Sequence, residues 1–399
     1  MKNITILLTL IISTSLIIGN SHIPANQEKY NFVSIDYIVK KYPEVTYQKC
    51  HEAQSFHYDK ISFFPESNQQ PYTGKFAPTF VITIPQGNYY SHENVYGDEG
   101  YIVVDDHYII RDLLTYTENF ALTVELFFGK SFQGVRKVPG RVVVLSKAWS
   151  RVYGHWMNEV LGRLAMVELL GIEYDWILIP PTENRKFMLE TLDLWGISRD
   201  KIIESKGEFC CIQADELIVP SIPGRRQALS GETFDYANTL CVYFPKFVMQ
   251  YLRDKFIAKS VALADKSFAK KVFISRVDAP FSRRVLNEDE IFSIVEKHGF
   301  VRYVMSDLSF VEQVALFNQA EIIISANGSG LTNSMFCSEN AQIVEIFQAR
   351  PDSTFCNIAQ TLGLRYMPIQ TCYFNTGLAH DSTCIPLWTI EQLISMLKL

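Results

Sequence analysis

The sequence predicts an α/β protein whose second half holds a parallel sheet, and three observations carry that reading. Short apolar strands alternate with amphipathic helical stretches from Lys271 to Phe347. The links between them are only a few residues long. A glycine loop, SANGSGLTNSMF from Ser325 to Phe336, separates the strand EIII (Glu321–Ile324) from a predicted helix and the later strand QIVEIF (Gln342–Phe347). The β-α-β-α-β order with short connections places helices on the faces of a parallel sheet.

Taken in order, Lys2 precedes an apolar run from Ile4 to Ile18, with Gly19 and Ser21 spaced as a signal peptidase site requires. The run is short beside the roughly 20 residues of a spanning helix. Residues 1–21 are therefore expected to be a signal peptide or a membrane anchor. Residues 22–140 are rich in Tyr, Asn and Pro and hold β-like pieces, Thr79–Pro85 and Tyr101–Ile110, the latter dividing at Asp105-Asp106-His107 as a hairpin. A regular unit begins with the strand Arg141–Ser146. A helix follows from about Gly154 to Leu170, then a strand (Trp176–Pro180), a helix (Glu183–Trp195) stopped by Gly196, and the strands Lys201–Ser205 and Glu216–Pro220. Residues 221–270 read as a linker followed by a helix from Pro245 to Phe256. The predicted domains are 22–250 and 251–399.

In the second unit the strand Lys271–Arg276 ends in an arginine, and the loop after it carries Arg283 and Arg284. Asn287, with Glu290 three residues on, reads as a variant capping box, and Gly299 ends that helix. Phe300–Met305 is the next strand. Ser309 and Glu312 form an S-x-x-E box opening the helix Phe310–Gln319. In such sheets ligands sit outside the carboxyl ends of strands. That rule puts Arg276 and the Ser325–Gly330 loop on one rim. Backbone amides and a helix N-terminus there suit a phosphate or pyrophosphate. In the first unit His155, Glu159 and Arg163 recur at i, i+4 and i+8 and share one helix face, with Trp156, Val160, Leu164 and Val167 as the apolar face.

Composition narrows the function. The net charge is −6 and the apolar fraction 48%. That excludes disorder and supplies no basic field for nucleic acid. None of the eight cysteines forms a C-x-x-C pair, so zinc is not expected and mostly free thiols are. No D-x-D motif occurs, and the close acidic pair is Asp105-Asp106, so no metal cofactor is expected. The sequons at Asn3 and Asn327 fall in the leader and in the glycine loop, which favours a bacterial source.

The combination S-R-x-D-A-x-x-x-R-R-x-x-N-E (Ser275–Glu288), the G-x-G-L-T-N loop (Gly328–Asn333), Glu345-Ile346 and the segment GHWMNEVLGRL (Gly154–Leu164) resembles glycosyltransferase family 61. The resemblance covers roughly Arg141 to Gln348. It implies a GT-B architecture, two Rossmann-like domains facing a cleft, with the nucleotide-sugar donor in the second. The family's loop has His-Gly where this chain has Asn327-Gly328; asparagine can donate to a phosphate or ribose oxygen but carries no charge. The implied activity is inverting transfer from a nucleotide diphosphate sugar, UDP-sugar favoured, to a glycan or glycoconjugate acceptor, without a metal. Arg276, Arg284 and then Arg283 would face the diphosphate. Asn327, Gly328 and the amides of Ser329, Gly330 and Leu331 would line the donor site. Asn333 is expected to hold the loop or the ribose, and Glu345 to bind ribose or cap a strand. His155 is the expected general base, with Glu159 as its alternative or its orienting partner. The apolar leader implies membrane association or a secretory route: the Golgi lumen in a eukaryote, the cell envelope or inner membrane in a bacterium. Two other classes stay open: a catalytically weak or inactive glycan-binding relative, and a dinucleotide-dependent oxidoreductase. Against the oxidoreductase, no G-x-G-x-x-G follows the first strand of either unit.

Overall fold

The structure is a computed structural model. It describes residues 31–58, 61–63, 67–69, 72–94, 97–104, 108–110, 113, 135–147, 149–205, 210–224, 244–279, 284–347, 354–370 and 384–399. The leader, Asp105-Asp106, Arg283, Cys241 and Cys372 lie outside these residues.

Two sheets organise the chain, and both are mixed with helices as the pattern of apolar runs predicts. The larger has ten strands. Its parallel part is Cys210–Pro220, Arg136–Val144, Trp176–Ile179 and Ile202–Glu204, in that order across the sheet. The long strand Cys210–Pro220 carries antiparallel neighbours on its other edge: Thr79–Pro85 against its second half and Asn88–Asn94 against its first. The β-like pieces of the irregular region thus complete the first sheet. Gly97–Val104 and Tyr108–Ile110 pair antiparallel, as the expected hairpin requires. The second sheet is fully parallel, ordered Val301–Val304, Lys271–Ser275, Ile322–Ala326, Gln342–Phe347, Arg365–Gln370. Its inner strands are buried along nearly their whole length, which is why they read as unbroken apolar runs.

Helix boundaries follow local chemistry. Gly196 and Gly299 take left-handed conformations (φ 95° and 84°) and end their helices. Ser309 and Glu312 make the reciprocal capping box, with both bonds present. Asn287 departs from expectation. It stands at the N-cap but makes no capping bond. Its side chain instead pairs with the backbone of Ile385, donating through Nδ2 to the carbonyl (2.7 Å) and accepting at Oδ1 from the amide (3.0 Å). A tertiary partner 98 residues away has taken the group that a local cap would have used.

One apolar core joins residues from both sheets. The helix Lys246–Leu263 packs against the helices Leu161–Leu169 and Phe310–Gln319. Phe256 sits edge-on to Phe310 and Phe336, at 5.0 and 6.4 Å between ring centres. Among the described residues no two cysteines are joined in a disulfide. No helix among the described residues is long and apolar enough to cross a membrane.

Candidate active site

The first rim forms where the strand Arg136–Val144 runs out. Leu145 and Ser146 still donate to the Leu178 carbonyl (2.8 and 3.0 Å), and the chain then turns at Lys147. Ser150 closes that turn by donating its amide to the Lys147 carbonyl (3.2 Å). A short helical turn, Tyr153–His155, leads into a π-turn, Trp156–Val160, and then into Leu161–Leu169. Trp156, Val160, Leu164 and Val167 are fully buried, as their spacing predicts. π-turns inside helices are frequent at functional sites.

His155 and Glu159 meet: Nδ1 lies 2.7 Å from Glu159 Oε2. They do not stand on an exposed face, since their side chains are 16% and 14% exposed. Lys147, whose side chain is 2% exposed, also donates to Glu159 Oε2. Burial alone would raise the Glu159 pKa. The Lys147 ammonium and the His155 ring outweigh it and hold the carboxyl down to about 2. Burial, with Arg163 nearby, pushes Lys147 below its ordinary value against the pull of Glu159. Arg163 leaves the face it was expected to share with His155. It is buried and donates to the carbonyls of Pro220 (2.9 Å) and Leu145 (3.3 Å). Burial draws its pKa down to about 10. The half-exposed Trp149 lies against His155, ring centres 6.2 Å apart and planes 28° from parallel, from a left-handed backbone (φ 65°).

The second rim forms where Ile322–Ala326 ends. The Asn327 amide donates to the Ile346 carbonyl (2.8 Å), Gly328 is extended, and Ser329–Phe336 winds into a 3-10 helix rather than an α-helix. Gly328 is demanded by a close approach. A Cβ there would sit 2.6 Å from a terminal nitrogen of Arg276, so the guanidinium lies directly on the loop backbone. Arg276 reaches this place because Glu288 braces its own turn. The carboxylate accepts from the Arg276 amide (2.9 Å) and from the Ser275 hydroxyl. Arg284 is exposed and donates through Nε to the Ala279 carbonyl (2.6 Å).

Four predicted donor-site residues face inward instead. The Leu331 amide is used by the 3-10 helix, donating to the Gly328 carbonyl (2.9 Å). Asn327 is buried and donates through Nδ2 to Glu345 Oε1 (2.6 Å). Glu345 is fully buried and also accepts from the Tyr366 hydroxyl (2.5 Å), which sets it inside the sheet. Asn333 holds the loop, donating to Gln313 Oε1 (2.9 Å) and accepting from the Tyr153 hydroxyl (2.5 Å). Ser329 and Gly330 remain partly accessible at the helix start.

The Tyr153–Asn333 bond brings the two rims together. Beside it, a Cβ on Gly154 would stand 3.1 Å from Thr332 Oγ1. Burial pushes the Tyr153 phenol far above its ordinary range, so it stays a neutral donor. Sequence reasoning missed Lys147 and Tyr153. For Lys147 a signal existed: a cation placed directly after the apolar strand end VVVLS. No cluster of three or more His, Cys, Asp or Glu able to hold a metal occurs among the described residues.

Comparison with known proteins agrees with the motif reading. The model of the family glycosyltransferase 61 matches residues 153–344, a span that takes in His155, Glu159, Arg276 and the glycine loop. Residues 153–344 are therefore similar to glycosyltransferase family 61. Over 87 residues the chain is 32% identical to the EGF domain-specific O-linked N-acetylglucosamine transferase of Drosophila melanogaster, covering 21% of this chain and 17% of that protein. Over 90 residues it is 28% identical to the enzyme of the same description from Xenopus laevis and 24% identical to that from Mus musculus, with the same coverage. The chain therefore spans 17% of the length of these relatives.

Proposed function

We propose that this protein is an inverting glycosyltransferase that moves a sugar from a nucleotide diphosphate donor, a UDP-sugar in the favoured case, to a glycan or protein-linked acceptor. The observation that carries this reading is the meeting of two rims at Tyr153–Asn333. One bears a histidine paired with an ionised carboxylate. The other bears a guanidinium laid on a glycine loop at a helix start. In this reading residues 22–250 and 251–399 are the two GT-B domains. The acceptor hydroxyl oxygen attacks the anomeric carbon as the bond to the diphosphate breaks. His155 takes the hydroxyl proton at Nε2. Arg276 and the amides of Ser329 and Gly330 offset the charge that develops on the departing diphosphate, with Arg283 and Arg284 beside them. Fixed donors of this kind stabilise such charge without requiring a metal. The apolar leader supports a secretory or cell-envelope location.

The reading is tested by screening UDP- and GDP-sugars for a rise in melting temperature, then following nucleotide release with and without EDTA. Slow nucleotide release from one donor, unaffected by EDTA, is expected. Donor binding with no release at all would favour a second reading, a glycan-binding relative without turnover. The observation behind that alternative is Asn327, whose amide is committed to Glu345 where the family has histidine. Loss of activity with EDTA and its return with manganese would overturn the metal-free mechanism and direct attention to Asp105-Asp106.

A further inference from the structure

Glu159 Oε2 serves two partners, the buried Lys147 Nζ and the partly buried His155 Nδ1. An ionised carboxylate only accepts hydrogen bonds, so Nδ1 must be the protonated ring nitrogen. The lone pair of a neutral imidazole is then left on Nε2. A histidine beside a lone buried carboxylate has a competing fate: it becomes a permanent imidazolium, because an opposite charge within about 4–6 Å favours the charged form. An imidazolium cannot accept a proton. The buried cation on the far side of the same oxygen opposes that outcome.

We propose that Lys147 is the positioning residue of the His155–Glu159 pair: it neutralises the carboxylate, so that Glu159 fixes the imidazole through Nδ1 without locking it as imidazolium. The proposal rests on His155 being the base. The role of Lys147 is not contained in the family match, which begins at residue 153. The geometry is specific. Lys147 is anchored by the turn that follows the central strand, through Ser150, whose amide and hydroxyl both donate to the Lys147 carbonyl. Its side chain is 2% exposed and that of Glu159 14%, so water screens their interaction little. The other charged and titratable groups around the pair act on its far side. Arg163, bound to backbone carbonyls, repels Lys147 and attracts Glu159, and Tyr89 acts on Arg163. Across the junction the neighbours Tyr153, Asn333 and Thr332 are neutral. Trp149 covers the ring face. The low pKa of Glu159 and the depressed pKa of Lys147 accord with a buried pair sharing one charge balance.

The test is the titration of His155 in the full chain, read from its ring Cε1–H signal in histidine-labelled protein and assigned by its loss in His155→Gln. Lys147→Met should raise the midpoint by about one pH unit or more, and Lys147→Arg should leave it close to that of the unaltered protein. The acidic limb of the pH profile of nucleotide release should move upward with the Lys147→Met midpoint. An unmoved midpoint in Lys147→Met would overturn the proposal. Should Lys147→Met fail to fold, Glu159→Gln is compared with Lys147→Met/Glu159→Gln. The single variant, which keeps the cation, should titrate at the lower pH. Identical midpoints would show that Lys147 does not act on the ring and would overturn the proposal. His155→Ala separates this idea from the reading beneath it. Near-normal turnover in that variant removes His155 as the base, while the midpoint shift still reports whether Lys147 sets its charge.

Discussion

At the end of the strand Arg136–Val144, the rim is made of side-chain charge: Lys147, Glu159 and His155 share one carboxylate oxygen, with Arg163 buried behind them. At the end of Ile322–Ala326, the rim is made of backbone, shaped by neutral amides and hydroxyls, with one guanidinium laid across Gly328. The first arrangement holds a proton at a defined nitrogen. The second presents the backbone of Ser329 and Gly330 beside a cation. Each rim lacks what the other has. The difference teaches that, in the proposed reaction, taking a proton and releasing an anion would fall to different materials on separate sheets. The comparison also predicts that variants on the first rim affect charge and turnover, and that variants on the second affect anion binding.

The largest expected effect is on turnover. His155→Ala should lower it by roughly 10²–10⁴-fold, the usual size of a lost general base, with nucleotide affinity nearly intact. Steady-state rates alongside a nucleotide titration check this. Near-normal turnover would break the division of labour. Next comes Glu159→Ala, which leaves Lys147 buried without its carboxylate; breaking such a pair costs about 3–5 kcal/mol, to be read from urea unfolding. Glu159 also sets a pH dependence. Its folded pKa of about 2 lies below the ordinary 4.5, so its contribution is fully present above pH 4.5 and fades as pH falls towards 2. Glu159→Gln should flatten that part of the stability profile.

The second rim gives smaller and different changes. Gly328→Ala places a methyl group 2.6 Å from the Arg276 guanidinium, and the flexible end of that side chain is what yields. Stability should change little, while affinity for a nucleoside diphosphate falls about ten- to a hundredfold, the loss of one charged hydrogen bond of roughly 1.5–3 kcal/mol. Arg276→Ala should match it by calorimetry; unchanged binding in both would remove this loop as the donor site. Smallest, Asn333→Ala strands the Tyr153 hydroxyl and Gln313 Oε1, costing about 1–3 kcal/mol of stability. Because Asn333 ties the rims together, this variant should impair turnover and binding alike, and sharpen the comparison by showing how far the rims depend on each other.

The sequence made the regular elements legible wherever local chemistry decides. The capping box at Ser309, the stops at Gly196 and Gly299, and the buried strands of the second sheet all follow from neighbours within a few residues. What stayed hidden depends on distant partners. The π-turn at Trp156–Val160 has no mark in an otherwise helical pattern, and it removes Arg163 from the polar face. Asn287 looks like a cap and binds Ile385 instead. Glu345 looks like a rim carboxylate and is sealed between Asn327 and Tyr366. In the first half, the strands Thr79–Pro85 and Asn88–Asn94 find their place only against Cys210–Pro220, more than a hundred residues on. Arg276, Gly328, Ser329 and Gly330 stand at the strand ends from which they were named, and His155 and Glu159 meet as their i, i+4 spacing requires.

The bond from Tyr153 to Asn333 joins residues 180 positions apart. Loops of that size close slowly, because their entropy is lost before any contact repays it. A single hydrogen bond does not repay that loss, so the contact needs the packing of both sheets beside it. During synthesis the histidine rim leaves the ribosome long before its counterpart exists. A chain halted before Asn333 lacks the acceptor of the Tyr153 hydroxyl. The meeting of the rims is thus expected to come with, rather than ahead of, the assembly of the sheets that carry them.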